Sequence, residues 1–258
     1  MNVSKKNLVI SSAVVITLFL LALPYLRRTS TVNYESPVYP GHNIILISIE
    51  TLRTDHIGCY GYGRNTTPFI DSVAGEGILF ENAFTVRGVT EPSLTSLLTA
   101  LYPVSTNVRD NGEVLEKGIP TLSRILKDEG YTTAAYLSTA CQLTGYSFDE
   151  TACTRYTDKK VLSNVIKFLK RNRGRKFLLF MHFFAPHRPY KPPKKHDVFR
   201  NKGYERNISL GNITKNRINV SAAELDDIVS LYDGDILYVD SSVRRVFDVL
   251  DDLGLLDN

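Results

Sequence analysis

Two stretches of this chain are almost unbroken runs of apolar residues, Ile44 to Ile49 and Phe177 to Phe184, and Thr132 to Leu137 reads as a strand between them. Runs of this length suit strands covered on both faces, as in a parallel sheet. Ile78 to Phe84 reads as a further short strand. Between these runs the apolar positions take helical spacing. Helices are expected from Thr67 to Ala74, with Pro68 in the first turn, from Pro92 to Leu101, opened by Thr90 or Glu91, and from Pro120 to Glu129, stopped by Gly130. Val161 to Leu169 follows. Ser221 to Leu253 is the longest, with an apolar stripe from Leu225 to Leu250 and Gly254 at its end. Alternating strands and helices predict a three-layer α/β/α sandwich around a mostly parallel sheet.

The N-terminal pattern is different. Leu8 to Leu26 is a 19-residue run without charge, flanked by Lys5, Lys6, Arg27 and Arg28. At ~1.5 Å per residue such a run crosses a bilayer core of ~30 Å. No small-x-small cleavage site follows it, so residues 1–28 read as a retained single-pass anchor rather than a cleaved signal. Residues 29–42, with Pro37 and Pro40, read as a linker. Four Asn-x-Ser/Thr sequons, at Asn65, Asn207, Asn212 and Asn219, agree with an extracytoplasmic domain.

Composition narrows the class. With 258 residues, 43% hydrophobic and 22% charged, the chain is neither disordered nor fibrous. Its three cysteines, Cys59, Cys141 and Cys153, include no CxxC pair, which argues against a cysteine-rich zinc site. If the domain is exported, Cys141 and Cys153 are expected to pair and Cys59 to stay reduced and buried. The net charge of +4 conceals a split: residues 159–206 carry +13 and the remainder −9. The basic stretch reads either as a solvated face or as a surface that meets anions. No nucleic-acid recognition motif accompanies it, so nucleic acid is not an expected partner.

Ligands of open α/β sheets bind beyond the carboxyl ends of the strands. Polar residues cluster at three such points. Glu50, Arg53, Asp55 and His56 follow the first run, Thr90-Glu-Pro-Ser93 opens a helix, and His182 and His187 belong to the late run and its exit. A carboxylate, a hydroxyl at a helix N-terminus and nearby imidazoles suit group transfer to an anionic centre. Each also has a plainer reading. Ser93 or Thr90 would be an N-cap, Glu50 a surface acid beside Arg53, and His182 a hydrogen-bonded core residue.

An ordered series of segments resembles the sulfatase family of the alkaline phosphatase superfamily. It opens with Asn43-Ile-Ile-Leu-Ile-Ser-Ile-Glu50-Thr-Leu-Arg-Thr-Asp-His-Ile-Gly-Cys-Tyr-Gly-Tyr62. It continues through Asn65-Thr-Thr-Pro-Phe-Ile-Asp71, Gly77 to Phe84, Thr90 to Pro103, Val108-Arg-Asp-Asn-Gly112 and Phe183-Phe-Ala-Pro-His187-Arg-Pro-Tyr190. Tyr232 to Asn258 closes it, so the likeness covers residues 43–258.

This resemblance implies an alkaline phosphatase-like fold and a metal-dependent hydrolase or transferase acting on sulfate or phosphate esters. Glu50 falls on the first metal-binding acid, Thr90 on the nucleophile and a metal ligand, and Asn111 and His187 on positions that hold the anionic group. The implied cofactor is a divalent cation: calcium, magnesium, manganese or zinc. Sulfatases carry Cys or Ser at the nucleophile position, oxidised to formylglycine, and an arginine four residues on. Here Thr90 and Leu94 stand instead, so no formylglycine is expected. A threonine nucleophile resembles that of the superfamily's phosphotransferases and phosphodiesterases, which favours phosphoryl chemistry. Ala185 replaces an acid common before Pro-His. The later Asp-His or Asp-Asn metal ligands lie in relatives on a strand after the last helix, which implies a domain incomplete at its C-terminus. The alternative reading is a degenerate, non-catalytic anion-binding surface protein that keeps the fold.

Overall fold

The computed structural model describes residues 41–200 and 220–256. The expected anchor at 1–28, most of the linker at 29–42 and three of the four sequon asparagines lie outside the described residues. Among the described residues no helix is long and apolar enough to cross a membrane.

In chain order the elements are β1 (Ile44–Ile49), α1 (Pro68–Glu76), α2 (Thr90–Thr99), α3 (Leu122–Asp128), β2 (Thr132–Leu137), β3 (Glu150–Cys153), α4 (Asp158–Asn172), β4 (Phe177–Phe183) and α5 (Ala222–Asp252). The four strands form one parallel sheet in the order β1-β4-β2-β3. Because a strand's side chains alternate between faces, the sheet feeds two cores. Ile45, Ile47, Leu179, Met181 and Tyr136 pack with α4 and α5 on one side. Leu46, Phe180, Ala135 and Leu137 pack with Leu94 and Leu98 of α2 and with Leu143 on the other. Helices therefore cover both faces, as the alternation predicts.

Four expectations need correction. β4 is buried throughout, but β1 is only half-buried at all six positions. Among the described strands β1 has one neighbour, β4, so it sits at the sheet's edge. Ile78 to Phe84 forms no strand. Ile78, Phe80 and Phe84 are 83%, 69% and 88% exposed, and the segment pairs with no described strand. β3 was not foreseen: Glu-Thr-Ala-Cys has no apolar run, and its strand form rests on pairing with β2. In the first turns of α5 the stripe is displaced. Leu225 is 56% exposed while Glu224 and Asp227 are buried, because Glu224 closes a capping box with Ser221 and Asp227 binds Arg200.

Cys141 and Cys153 form a disulfide with Cα atoms 5.4 Å apart. Cys59 is free but half-buried rather than buried, since it sits in an open turn whose backbone N–H is held by Asp71. The bridge closes a 12-residue separation. Its reduction is expected to lower the unfolding free energy by about 2–3 kcal/mol through loop entropy. Urea melts with and without reductant measure this, and an unchanged midpoint would count against the bridge.

Candidate active site

Parallel register brings the polar residues to one end of the sheet. Ile49 lies opposite Phe183, and Leu137 opposite His182. The Glu50 N–H donates to the Phe183 carbonyl, and the Ser138 N–H to that of His182. The segment after β3 follows the same edge, with Tyr156 N–H donating to the Ser138 carbonyl. The ends of β1, β2 and β4 and the start of α4 thus share one rim. The turn after Glu50 is strained: Thr51, a β-branched residue, has φ 51°. Tyr232 of α5 holds that turn, its hydroxyl donating to the Thr51 carbonyl at 2.8 Å and accepting from Arg53 N–H at 3.0 Å.

Thr90 is the first residue of α2. The N-cap position belongs to Val89, whose side chain makes no capping bond, so neither Thr90 nor Ser93 is the cap. Instead the Thr90 hydroxyl donates to Glu50 Oε1 at 2.9 Å. Glu50 Oε2 lies 3.0 Å from His182 Nε2, and His182 Nδ1 lies 3.1 Å from Ser48 Oγ. A carboxylate only accepts, so Nε2 carries a proton toward Glu50, and Thr139 Oγ1 lies 2.9 Å from the same nitrogen. Burial raises the Glu50 pKa, but hydrogen bonds from His182 and Thr90 and the nearby His182 and His187 rings outweigh it and hold the carboxyl below its usual value. Glu50 is therefore an ionised, half-buried acid rather than a surface acid beside Arg53, which pairs with Asp55. His182, 1% exposed, is the hydrogen-bonded core residue expected, and it also steadies the carboxylate.

Asn111 is tied to the same helix end. Its Oδ1 accepts from Glu91 N–H at 3.0 Å, and the Glu91 carboxylate accepts from Gly112 N–H. The Asn111 amide N–H groups remain as donors. His187 stacks on Phe184 with centroids 4.6 Å apart. Its Nδ1 donates to the Arg188 carbonyl at 2.7 Å, which leaves Nε2 as the nitrogen open to a ligand. Asp158, at the start of α4, grips the loop that carries this ring. Its carboxylate accepts from the N–H groups of Phe184 at 2.8 Å and Ala185 at 3.0 Å, and from the Ser138 hydroxyl.

Glu50, Thr90, Asn111 and His187 line one cavity of about 870 Å³. All four residues singled out in the sequence are thus brought together. Asp158, Thr139 and Asp235 of the same cavity were not foreseen. Asp158 carried a faint signal, an acid at a helix start, but its role depends on a loop folded back over it. Burial pushes the Asp235 carboxyl up to about 7, with the Asp158 charge adding to the rise.

The residues present fall short of a divalent-metal site. Glu50 and Thr90 supply oxygen donors, yet both Glu50 oxygens already accept hydrogen bonds and His182 faces them with N–H. Among the described residues no group of three or more His, Cys, Asp or Glu is placed to hold a metal. Two oxygens are well under the about six that a hard cation takes.

Comparison with known proteins follows the same lines. The family model described as Sulfatase matches residues 42–258. The N-acetylglucosamine-6-O-sulfatase of Bacteroides thetaiotaomicron is 25% identical over 208 residues, covering 70% of this chain and 37% of its own length. Among solved structures, the phosphonate monoester hydrolase of Agrobacterium radiobacter superposes with TM-score 0.66 at 18% identity, covering 84% of this chain and 60% of that one. The C-terminal periplasmic domain of EcEptC from Escherichia coli, in a complex with zinc, gives 0.61 at 21%, covering 81% of this chain and 59% of that one. The chain therefore spans a little over a third of that curated relative and about three-fifths of these structures. At these identities the structures speak for the fold.

Proposed function

The chain belongs to the sulfatase family, and we propose that within it this protein handles phosphate esters, as a hydrolase or transferase whose nucleophile is Thr90. The observation that carries the reading is the Thr90 hydroxyl at the N-terminus of α2, bonded to the ionised, half-buried Glu50 carboxylate and lining the cavity that also holds His187. A helix N-terminus favours an anion there, the Asn111 amide adds donors, and His187 Nε2 can take up or give a proton. In the proposed step Thr90 Oγ1 forms a bond to phosphorus as the bond to the leaving oxygen breaks. The threonine proton passes to Glu50, and the leaving oxygen takes one from protonated His187. Water or an acceptor hydroxyl then cleaves the phosphothreonine. Formylglycine releases sulfate through a geminal hydroxyl, a route closed to threonine.

Glu50 and Thr90 are also proposed as two ligands of a divalent cation; no step above depends on it. Residues 43–258 are proposed as the catalytic domain, and residues 8–26 as its anchor in a lipid bilayer with the domain extracytoplasmic. A second reading, anion binding without turnover, is favoured by the two-oxygen donor set.

The test is to assay the full chain in detergent on aryl phosphate, phosphodiester and aryl sulfate with each divalent metal, beside Thr90→Ala. Expected results are preference for phosphate esters, phosphorylation mapped to Thr90 by mass spectrometry, and loss of both in the variant. Efficient sulfate release, or an unaffected Thr90→Ala protein, would overturn the proposal. Phosphate binding with no turnover in either protein would establish the second reading.

A further inference from the structure

The cavity has a second wall that the Thr90 chemistry does not use. It is made by the start of α4 and by the segment after His187, and it carries Lys159, Arg188 and Lys191, all exposed. None of the three makes an ion pair among the described residues, whereas Arg53, Arg64, Arg171 and Arg200 all do. Two acids share this wall and offset part of its charge, leaving three cations against at most two anions. Asp158 is committed to the Phe184 and Ala185 N–H groups, and Asp235 accepts the Lys191 N–H at 2.9 Å. The N-terminus of α4, a 15-residue helix, opens on the same wall, and its N-cap Thr157 makes no side-chain capping bond. Helix dipole and lysine thus add at one place. Tyr156, 69% exposed, lines the same cavity, its ring 4.7 Å from that of Phe184, on which His187 also stacks. It offers a flat apolar face flanked by positive charge. A cavity of about 870 Å³ is of the size that holds a whole small molecule rather than one phosphate group.

From these features we propose that the wall formed by Lys159, Arg188 and the α4 N-terminus is a second anion subsite, so that the substrate carries two anionic groups. One group reacts at Thr90, the other sits on Lys159 and Arg188, and the body of the substrate lies against Tyr156. The inference rests on the reading that His187 and Thr90 hold the reacting group, and the experiment separates the two.

The experiment is calorimetric binding to the full chain in detergent at low ionic strength. The probes are inorganic phosphate, fructose 6-phosphate and fructose 1,6-bisphosphate. The bisphosphate is expected to bind at least about tenfold more tightly than the monophosphate, since a charge-assisted contact is of that order. Lys159→Ala with Arg188→Ala should bring the bisphosphate down to the monophosphate level and leave the monophosphate within about twofold. Lys170→Ala with Arg173→Ala removes equal charge from α4 and its end outside the cavity, and should change neither. Equal affinity for the two sugar phosphates in the unaltered protein would overturn the second subsite while leaving the first in place. Equal losses in the two double variants would also overturn it, as general attraction to a basic surface. Binding of all probes unchanged in His187→Ala would overturn the underlying reading itself.

Discussion

Glu50→Gln is expected to reduce phosphorylation of Thr90 by roughly 10²–10³-fold, the usual cost of losing one preorganised group at a reacting centre. The protein should still fold. Glutamine keeps the shape of glutamate, but it offers one acceptor where Glu50 offers two. Two donors point at that carboxylate, the Thr90 hydroxyl and the His182 N–H. The variant resolves the conflict by letting one of them turn. His182 can move its proton to Nδ1 and donate to Ser48 Oγ, which lies 3.1 Å away and both donates and accepts. The imidazole nitrogen shifts in NMR should therefore exchange roles between the wild type and Glu50→Gln. Phosphate esters should still bind, because the Asn111 amide and the His187 ring do not depend on Glu50. Thr90 would lose the acceptor that orients its O–H, so the rate and not the affinity should carry the loss. An unchanged rate of Thr90 phosphorylation would show that the carboxylate does not serve the threonine. A loss of folding without a tautomer change would make Glu50 a purely structural acid.

The parts of this arrangement that sequence reveals are those encoded locally. β1 and β4 are legible because each is a run of apolar residues that needs no partner to identify it. α5 was legible because Ser221 and Glu224 form a capping box at one end and Gly254, at φ 64°, closes the other. β3 was not, since four mixed residues become a strand only when β2 is beside them. Ile78 to Phe84 errs the other way, as strand-like residues that pair with no described strand. In the site, Glu50, Thr90, Asn111 and His187 stand out through the family resemblance of the segments that carry them. His182 was seen only as core, because its bond to Glu50 follows from β1–β4 register rather than from any neighbour in sequence. Asp235 is invisible for a related reason, and Asp158 shows only as an acid at a helix start. Helical periodicity counts an acid as an outward residue, and only the packing of α4 and α5 over the rim turns these two inward.

Asp235→Asn is expected to stabilise the protein at neutral pH and to flatten its pH dependence. Asp235 is 5% exposed, and burial with the Asp158 charge pushes its pKa up to about 7 from 3.8. A folded-state pKa above the unfolded value means that the folded chain binds a proton the unfolded chain releases. The contribution is fully present below about pH 4 and is lost as pH rises through about 7. The span corresponds to roughly 4 kcal/mol as an upper bound, and to a shift in Tm of about 10 °C for a chain of this size. Asparagine removes the ionisation and keeps an oxygen for the Lys191 N–H, now 2.9 Å from Asp235 Oδ2. The variant should match the wild type near pH 4 and exceed it increasingly up to pH 8. Thermal melts of both proteins at pH 4.5, 6 and 8 measure this. Parallel melting curves across that range would mean that Asp235 ionises normally in the folded protein. The reason to expect otherwise is local: its one recorded hydrogen bond is a single backbone N–H, too little to offset burial beside Asp158. In the protonated form its O–H is also a donor in the cavity that holds Thr90. A neutral ligand hydroxyl bound there should hold the proton on and steepen the loss of binding as pH passes 7.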